Sequence, residues 1–130
     1  MNPRRVSKAI LGAAVIAAGT AVAAQPPIEQ LQVYRQQGIE QTDTARGKQL
    51  WYAPVNERSC SLCHGDSPVD IGRHASTGKQ IEPMALSVNP ERYQSAKKIE
   101  KWFLRNCKWT FGRECNLQEK ADILTWLASQ

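Results

Sequence analysis

The sequence predicts an all-α protein with long loops, and three observations support this fold class. Apolar residues near the C-terminus recur at helical spacing. A second segment repeats that spacing with Ile99, Phe103 and Asn106 at i, i+4 and i+7. No strand-like alternation, internal repeat or low-complexity tract stands out in the rest of the chain. The C-terminal stripe consists of Leu117, Ala121, Leu124 and Leu127.

The first predicted helix begins near Thr42 or Asp43, which are good N-cap residues, and runs through Trp51. The residues before it, 25–41, are polar and rich in glutamine. They are expected to form a lead-in with no more than about one helical turn, because few of them are apolar. After the first helix, residues 65–88 are expected to form a long irregular section.

Two further helices are predicted from their starting signals. Asn89-Pro90 places a proline at the first helical position of one helix, and Ser95 offers a second start. This helix is expected to end at Asn106. The last helix covers residues 117–128, with Asn116 and Glu119 spaced as a capping box.

Residues 1–24 are predicted to form a secretory signal peptide. Arg4, Arg5 and Lys8 precede an apolar run that ends in the small residues of a cleavage site before Gln25. The alternative is an uncleaved membrane anchor, but the run is shorter than the ~20 residues that a spanning helix needs. The sequence therefore predicts a periplasmic protein without a stable membrane anchor. Residues 42–130 would form its single domain.

The charge and composition of the mature chain limit its function. The whole chain has 17 basic and 12 acidic residues, but three basic residues lie in the predicted signal peptide. The remaining net charge of +2 gives no reason to expect nucleic-acid binding. A domain of about 100 residues with few aliphatic side chains is marginal on core burial alone. A large apolar prosthetic group would supply the missing core.

The sequence Cys60-Ser61-Leu62-Cys63-His64 indicates which group this is. It has the form of the C-x-x-C-H motif that attaches haem c. One helical turn presents both thiols to the haem vinyl groups, and the histidine then reaches the iron as the proximal ligand. The other ring nitrogen of His64 is expected to donate to a backbone carbonyl in residues 65–72. A thioredoxin-like dithiol or a zinc site is the weaker alternative, because neither the strand pattern nor a second close ligand pair is present.

Cys107 and Cys115 remain after one covalently attached haem per chain is assigned. In an exported protein they most simply form a disulfide. The closed loop is short, so its entropic contribution to stability would be about 2.5 kcal/mol. Two free thiols are the alternative.

Together these features resemble the class I cytochromes c. In that fold the N- and C-terminal helices cross, and a glycine of the first meets an aromatic residue of the last. Gly47 and Trp126 occupy the matching positions. The resemblance covers residues 42–127 and implies a helical fold around one haem.

The last third of the chain is similar to a narrower group, the sphaeroides haem proteins (SHP). The strings Arg105-Asn106-Cys107-Lys108-Trp109 and Gly112-Arg113-Glu114-Cys115 carry this similarity, together with Ile81-Glu82-Pro83-Met84 and Ser87-Val88-Asn89-Pro90. The resemblance implies that Asn106 is the sixth iron ligand and that Cys107 and Cys115 are disulfide-bonded. It also implies that Asn106 leaves on reduction, that ferrous haem binds diatomic gases, and that a dihaem cytochrome c supplies electrons.

Three side chains compete for the sixth position. Met84 is the only methionine of the mature chain, and His/Met ligation is usual in electron carriers. We favour Asn106, because it shares a helix face with Ile99 and Phe103. Without a ligand role, Asn106 would be a helix C-cap and Met84 would pack in the core. His74 is a third and weaker candidate.

Four basic residues recur along the third predicted helix at i, i+4, i+8 and i+11. They are Lys97, Lys101, Arg105 and Lys108, here called the basic stripe. The stripe is expected near the haem edge, where it would steer an acidic redox partner. A solvated helix face is the alternative. Lys79 and Arg73 are candidates for neutralising the haem propionates.

These residues predict a periplasmic monohaem cytochrome with a displaceable Asn106 ligand, which binds O2, NO or CO. A plain His/Met electron carrier that uses Met84 is the second interpretation. A haem enzyme that turns over O2, NO or peroxide is the third. Nothing in the sequence supplies a distal acid–base pair for such an enzyme, so an electron-transfer and gas-binding role is favoured over a dedicated enzyme.

Overall fold

The computed structural model describes residues 28–130, so the predicted signal peptide lies outside the described residues. Helices dominate this range, with one two-stranded ladder. No helix within it is long and apolar enough to cross a membrane. The elements in chain order are α1 (Glu29–Gln36), α2 (Thr44–Tyr52), α3 (Ser61–His64), β1 (Gly72–Arg73), β2 (Gln80–Ile81), a 3-10 helix (Pro90–Tyr93), α4 (Ala96–Phe111) and α5 (Leu117–Ala128).

Helices α2 and α5 cross at Gly47, as the sequence predicts. A Cβ atom at Gly47 would lie 2.9 Å from the Cβ of Trp126 and closer still to the backbone of Asp122. The side chain of Asp43 caps α2 by accepting from the backbone N–H groups of Ala45 and Arg46. The missing side chain at Gly47 therefore lets the two helix backbones approach each other.

Helix α5 supplies much of the hydrophobic core, and its predicted boundaries are confirmed. The Asn116 side chain accepts from the Glu119 N–H at 2.9 Å, and the Glu119 carboxylate accepts from the Asn116 N–H at 2.9 Å. This reciprocal pair is the capping box. Three of the four residues of its apolar stripe are buried, namely Ala121, Leu124 and Leu127, and so are the neighbouring Ile123 and Trp126.

The expectation of at most one helical turn before Thr42 was wrong. Helix α1 has eight residues, and Tyr34 on it is only 1% exposed. The Tyr34 hydroxyl and the Gln30 amide both donate to the Glu100 carboxylate on α4. The stability of α1 comes from these tertiary contacts, which a sparse apolar pattern does not reveal.

The helix that was expected to end at Asn106 continues to Phe111. It begins at Ala96 with Ser95 as its N-cap, while Pro90 starts a separate 3-10 turn. It ends at Gly112, whose φ of +70° is the left-handed conformation of a helix C-cap. Asn106 thus lies inside α4 and is not a C-cap.

The section from residue 65 to 88 is largely irregular, as expected, but it contains the one ladder in the described range. Strands β1 and β2 are antiparallel, with Gly72 opposite Ile81 and Arg73 opposite Gln80. A turn through Gly78, with φ of +67°, joins them. This hairpin is too short to produce an alternating pattern in the sequence.

Candidate haem site

A cavity of about 720 Å³ lies between the short helix α3 and helices α4 and α5. Its size is within the ~300–1,000 Å³ of ordinary ligand sites in proteins. Most of its inner wall is apolar, and this wall includes Trp51, Ile99, Phe103, Ile123, Leu124 and Leu127. A large, mostly apolar ligand would therefore complete the core, as the composition predicts.

The C-x-x-C-H motif forms part of this wall. Cys60, Cys63 and His64 all line the cavity, and α3 is the single turn that carries the last two. The backbone N–H of His64 donates to the Cys60 carbonyl at 3.1 Å, which closes this turn. One turn thus brings two thiols and an imidazole to one cavity.

The imidazole of His64 is suited to binding a metal. Burial, together with the nearby charge of Arg92, lowers its pKa to about 4. It is therefore neutral at pH 7, which is the form that coordinates iron.

The second nitrogen of His64 does not make the expected hydrogen bond to residues 65–72. Its Nδ1 atom is buried and has no hydrogen-bond partner in the described part of the chain. The ring of Trp51 lies next to it instead, with the two ring centroids 5.2 Å apart.

The two motif cysteines have different surroundings. Burial raises the pKa of Cys60 to about 11, and a hydrogen bond with Thr110 of α4 partly offsets this increase. The Cys63 sulfur accepts from the backbone N–H of Ala75 at 3.3 Å. The hairpin therefore borders the cavity at Cys63, and α4 borders it at Cys60.

Helix α4 forms the wall that carries Asn106. Ile99, Phe103, Asn106 and Thr110 all line the cavity from this helix. Their spacing of four, three and four residues places them on one side of it. Asn106 is the amide in the middle of this otherwise mostly apolar series.

The disulfide between Cys107 and Cys115 is present, with the two Cα atoms 5.6 Å apart. It joins α4, directly after Asn106, to the segment before α5. Both cysteines are buried. The covalent link therefore ties the part of α4 next to Asn106 to the start of the last helix.

Met84 also lines the cavity, as do Asn106 and His74, so all three predicted candidates for the sixth position border it. Its backbone is held at both ends: the N–H of Met84 donates to the Pro68 carbonyl at 2.8 Å, and its own carbonyl accepts from the Tyr93 hydroxyl. Its side chain packs against the hydrophobic core. These contacts are those of a core residue.

His74 lines the cavity from the hairpin turn and is exposed. Its Nδ1 atom is within 3.4 Å of the backbone nitrogens of Ser76 and Thr77. Lys79 lines the same cavity, whereas Arg73 does not and instead donates to the Gly78 carbonyl. Of the two cations expected near the propionates, the structure places only Lys79 at the cavity.

Three residues of the basic stripe, Lys97, Lys101 and Lys108, do not line the cavity. Lys101 and Lys108 follow Ile99 and Asn106 by two positions, which is about 200° around a helix. The stripe is expected near the haem edge, and of its four residues only Arg105 contributes to the lining of the cavity. Lys108 is also paired with Glu114 at 3.1 Å.

Sequence reasoning missed three residues of this site. Trp51 packs on His64, Thr110 contacts Cys60, and Arg92 lines the cavity close enough to affect the pKa of His64. Thr110 could have been found, because it continues the Ile99–Phe103–Asn106 spacing by one turn. No local pattern marks Trp51 or Arg92.

The helical fold and the cysteine–histidine motif at an apolar cavity define a cytochrome of the c type. Comparison with known proteins gives the family. Residues 37–127 match a family described as a domain of unknown function (DUF1924). The chain is 36% identical over 121 residues to the cytochrome c-type protein SHP of Cereibacter sphaeroides. The match covers 88% of this chain and 93% of that protein. The chain belongs to the SHP family of cytochromes c.

Solved structures agree with this assignment. The structure of oxidised SHP, described as an oxygen-binding cytochrome c, matches with a TM-score of 0.73 and 35% identity, over 82% of this chain and 98% of that one. The crystal structure of oxidised cytochrome c'' from Methylophilus methylotrophus matches with a TM-score of 0.69 and 26% identity, over 78% and 92%. The helical cytochrome c fold and a haem cofactor follow from this family membership.

Proposed function

We propose that this protein is a periplasmic monohaem cytochrome c that binds a diatomic gas after reduction. One observation carries the proposal: Cys60, Cys63 and a neutral His64 line the same apolar cavity as the amide of Asn106. The cysteines would hold one haem c through two thioether bonds, and His64 would be its proximal ligand. When bound, the haem would supply an iron that exchanges one electron and takes up small ligands.

Asn106 is the residue that would control the uptake of small ligands at this iron. Its amide oxygen is a neutral, hard donor, so it favours ferric over ferrous iron. We infer that Asn106 ligates the oxidised protein and leaves on reduction. The description of SHP as oxygen-binding supports this inference. So does a solution structure of cytochrome c'' that concerns haem-ligand detachment, which matches with a TM-score of 0.67 and 26% identity.

A His/Met electron carrier is the second candidate, because Met84 also lines the cavity. Spectra of wild type, Asn106→Ala and Met84→Ala, each ferric and ferrous and with or without CO, separate the two functions. We expect rapid CO binding to the ferrous wild type, a changed ferric spectrum in Asn106→Ala and little change in Met84→Ala. Ferrous wild type that resists CO, with the resistance lost only in Met84→Ala, would identify the electron carrier.

Covalent attachment and export have their own test. Protein purified from the periplasm should retain one haem per chain after denaturation, and its mass should correspond to a chain that starts at Gln25. Cys60→Ala and Cys63→Ala should each weaken this attachment. Loss of the haem from denatured wild-type protein would contradict the thioether assignment.

We further propose that the electron donor is a dihaem cytochrome c with an acidic surface, which the basic stripe attracts. Within the described residues, Lys97 and Lys101 form no salt bridge, so their charges are available to a partner. Because Lys97 and Lys101 do not line the cavity, their charges would guide the encounter without contacting the haem. Lys97→Glu with Lys101→Glu should slow reduction at low salt, and the effect should vanish at high salt. An equal rate of reduction in wild type and variant at low salt would rule out the basic stripe as a docking surface for the donor.

A further inference from the structure

Arg92 is the cation with the most constrained position at the cavity. Its Nε atom donates to the Pro83 carbonyl at 3.2 Å, and its Nη2 atom donates to the Glu82 carbonyl at 2.9 Å. These contacts fix the guanidinium against the segment that leads to Met84. The side chain is partly buried and lines the cavity.

The two carbonyl contacts leave the positive charge of Arg92 without a carboxylate. A guanidinium has five N–H donors, so donors remain after the bonds to Pro83 and Glu82. Within residues 28–130, no aspartate or glutamate lies within salt-bridge distance of Arg92. A partly buried cation beside an apolar cavity is costly unless an anion is bound there.

The other cations that line the cavity are less constrained. Arg105 stacks on Trp102, with its guanidinium carbon 5.2 Å from the ring centroid, and is exposed. Lys79 is exposed on the hairpin. With Glu82 as the one carboxylate of the lining, these three cations give the cavity wall a net charge of +2. This charge is opposite and equal to that of two ionised propionates.

We propose that Arg92 binds a carboxylate of the cofactor, a haem propionate, at the cavity wall. This inference rests on the proposed haem function. Because its bonds to Pro83 and Glu82 hold the guanidinium in place before the ligand arrives, little side-chain entropy is lost on binding. Arg92 would thereby hold the haem edge and add a positive charge that stabilises the reduced state.

The test uses the holoprotein with Arg92→Gln, Arg92→Lys and the control Arg73→Gln. Arg73 is an exposed arginine that donates to a carbonyl but does not line the cavity. Arg73→Gln therefore removes the same charge as Arg92→Gln at a position outside the cavity. The measurements are the propionate bending mode in resonance Raman spectra and the midpoint potential. We expect Arg92→Gln to shift the mode and lower the potential. Arg92→Lys should shift the mode but keep the potential near that of wild type, and Arg73→Gln should change neither.

If the propionate mode of Arg92→Gln equals that of Arg73→Gln, the inference is overturned, whether or not the potential falls. Arg92 would then only hold residues 82–84 in place or act as a distant charge. If Arg92→Gln gives no folded holoprotein, the mode of Arg92→Lys decides, and an unshifted mode overturns the inference. Haem content and CO spectra are recorded on the same samples. Wild-type protein that contains no haem, or whose ferrous form does not bind CO, would reject the proposed function itself. The failure of the proposed function can therefore be distinguished from the failure of the inference about Arg92.

Discussion

Gly72 packs directly against the backbone of His64. A Cβ atom at position 72 would lie 2.8 Å from the Cα of His64, and it would be closer still to the carbonyl oxygen of Cys63. The loop after the motif returns at this point and becomes strand β1. The absence of a side chain at residue 72 therefore decides how closely the loop and hairpin cover the motif.

Gly72→Ala should destabilise the holoprotein by about 2 kcal/mol, because a methyl group without space forces the backbone apart. It should also change the circular dichroism of the Soret band, since the motif would move. The control is Gly78→Ala, which meets no atom within 4 Å but has a φ of +67°. The control should lose about 1 kcal/mol of stability, because alanine is strained in a left-handed backbone conformation, and it should keep the Soret signal. Equal Soret spectra in all three proteins would contradict the prediction.

Replacing both Cys107 and Cys115 with serine should lower the free energy of unfolding by about 2.5 kcal/mol, because the unfolded chain regains the entropy of a short loop. The link also ties α4 to α5 next to Asn106, so its removal should speed CO binding to the ferrous protein. Equilibrium unfolding and stopped-flow CO binding measure the two effects. Unchanged CO kinetics would show that the disulfide does not limit the movement of Asn106.

Glu100 should make the stability of the protein depend on pH. Burial raises its pKa, but hydrogen bonds from Lys120 and Tyr34 more than offset this, so the net pKa lies below the ordinary value of 4.5. A lowered carboxylate pKa stabilises the fold above the ordinary value, and this contribution is lost as the pH falls through the folded-state pKa. The difference in stability between wild type and Glu100→Gln should thus shrink between pH 6 and about pH 3. The exposed Glu91, changed to Gln, is the control, and a difference that stays constant with pH would refute this role.

Asp122→Asn should destabilise the crossing of α2 and α5 by about 2 kcal/mol, because charge-assisted hydrogen bonds are lost in a buried site. The Asp122 carboxylate is fully buried. It accepts from the Arg46 Nε at 2.6 Å, the Asp43 N–H at 2.8 Å and the Gln118 amide at 2.9 Å. Asp70→Asn, at an exposed position, should change the midpoint of denaturation very little. Similar midpoints for both variants would mean that the carboxylate contributes no more than a surface group.

The parts of this structure that the sequence predicted correctly depend on short stretches of chain. The boundaries of α5 follow from a capping box and an apolar stripe within thirteen residues. The cysteine–histidine turn follows from the spacing of one motif. The place of Asn106 on the cavity side of α4 follows from three residues at helical spacing. Each of these signals is local, because helix geometry relates residues three to seven positions apart.

Other features of the structure were not predicted from the sequence, because they depend on contacts between distant parts of the chain. Helix α1 is held by Glu100, which lies 66 residues beyond Tyr34 in the chain. The surroundings of the His64 ring depend on Trp51 of another helix. Which residues of the basic stripe border the cavity depends on how α4 packs against distant segments of the chain.

The amino-acid sequence by itself determined the helical class, the attachment motif and the cysteine pair, since these depend on residue types and spacings along a few helical turns. Tertiary structure alone decided that Arg92 lines the cavity, that Gly72 touches the motif and that Met84 is held by its backbone. The physical reason is that burial and close approach are properties of surfaces in contact, and these surfaces come from segments that only the folded chain brings together.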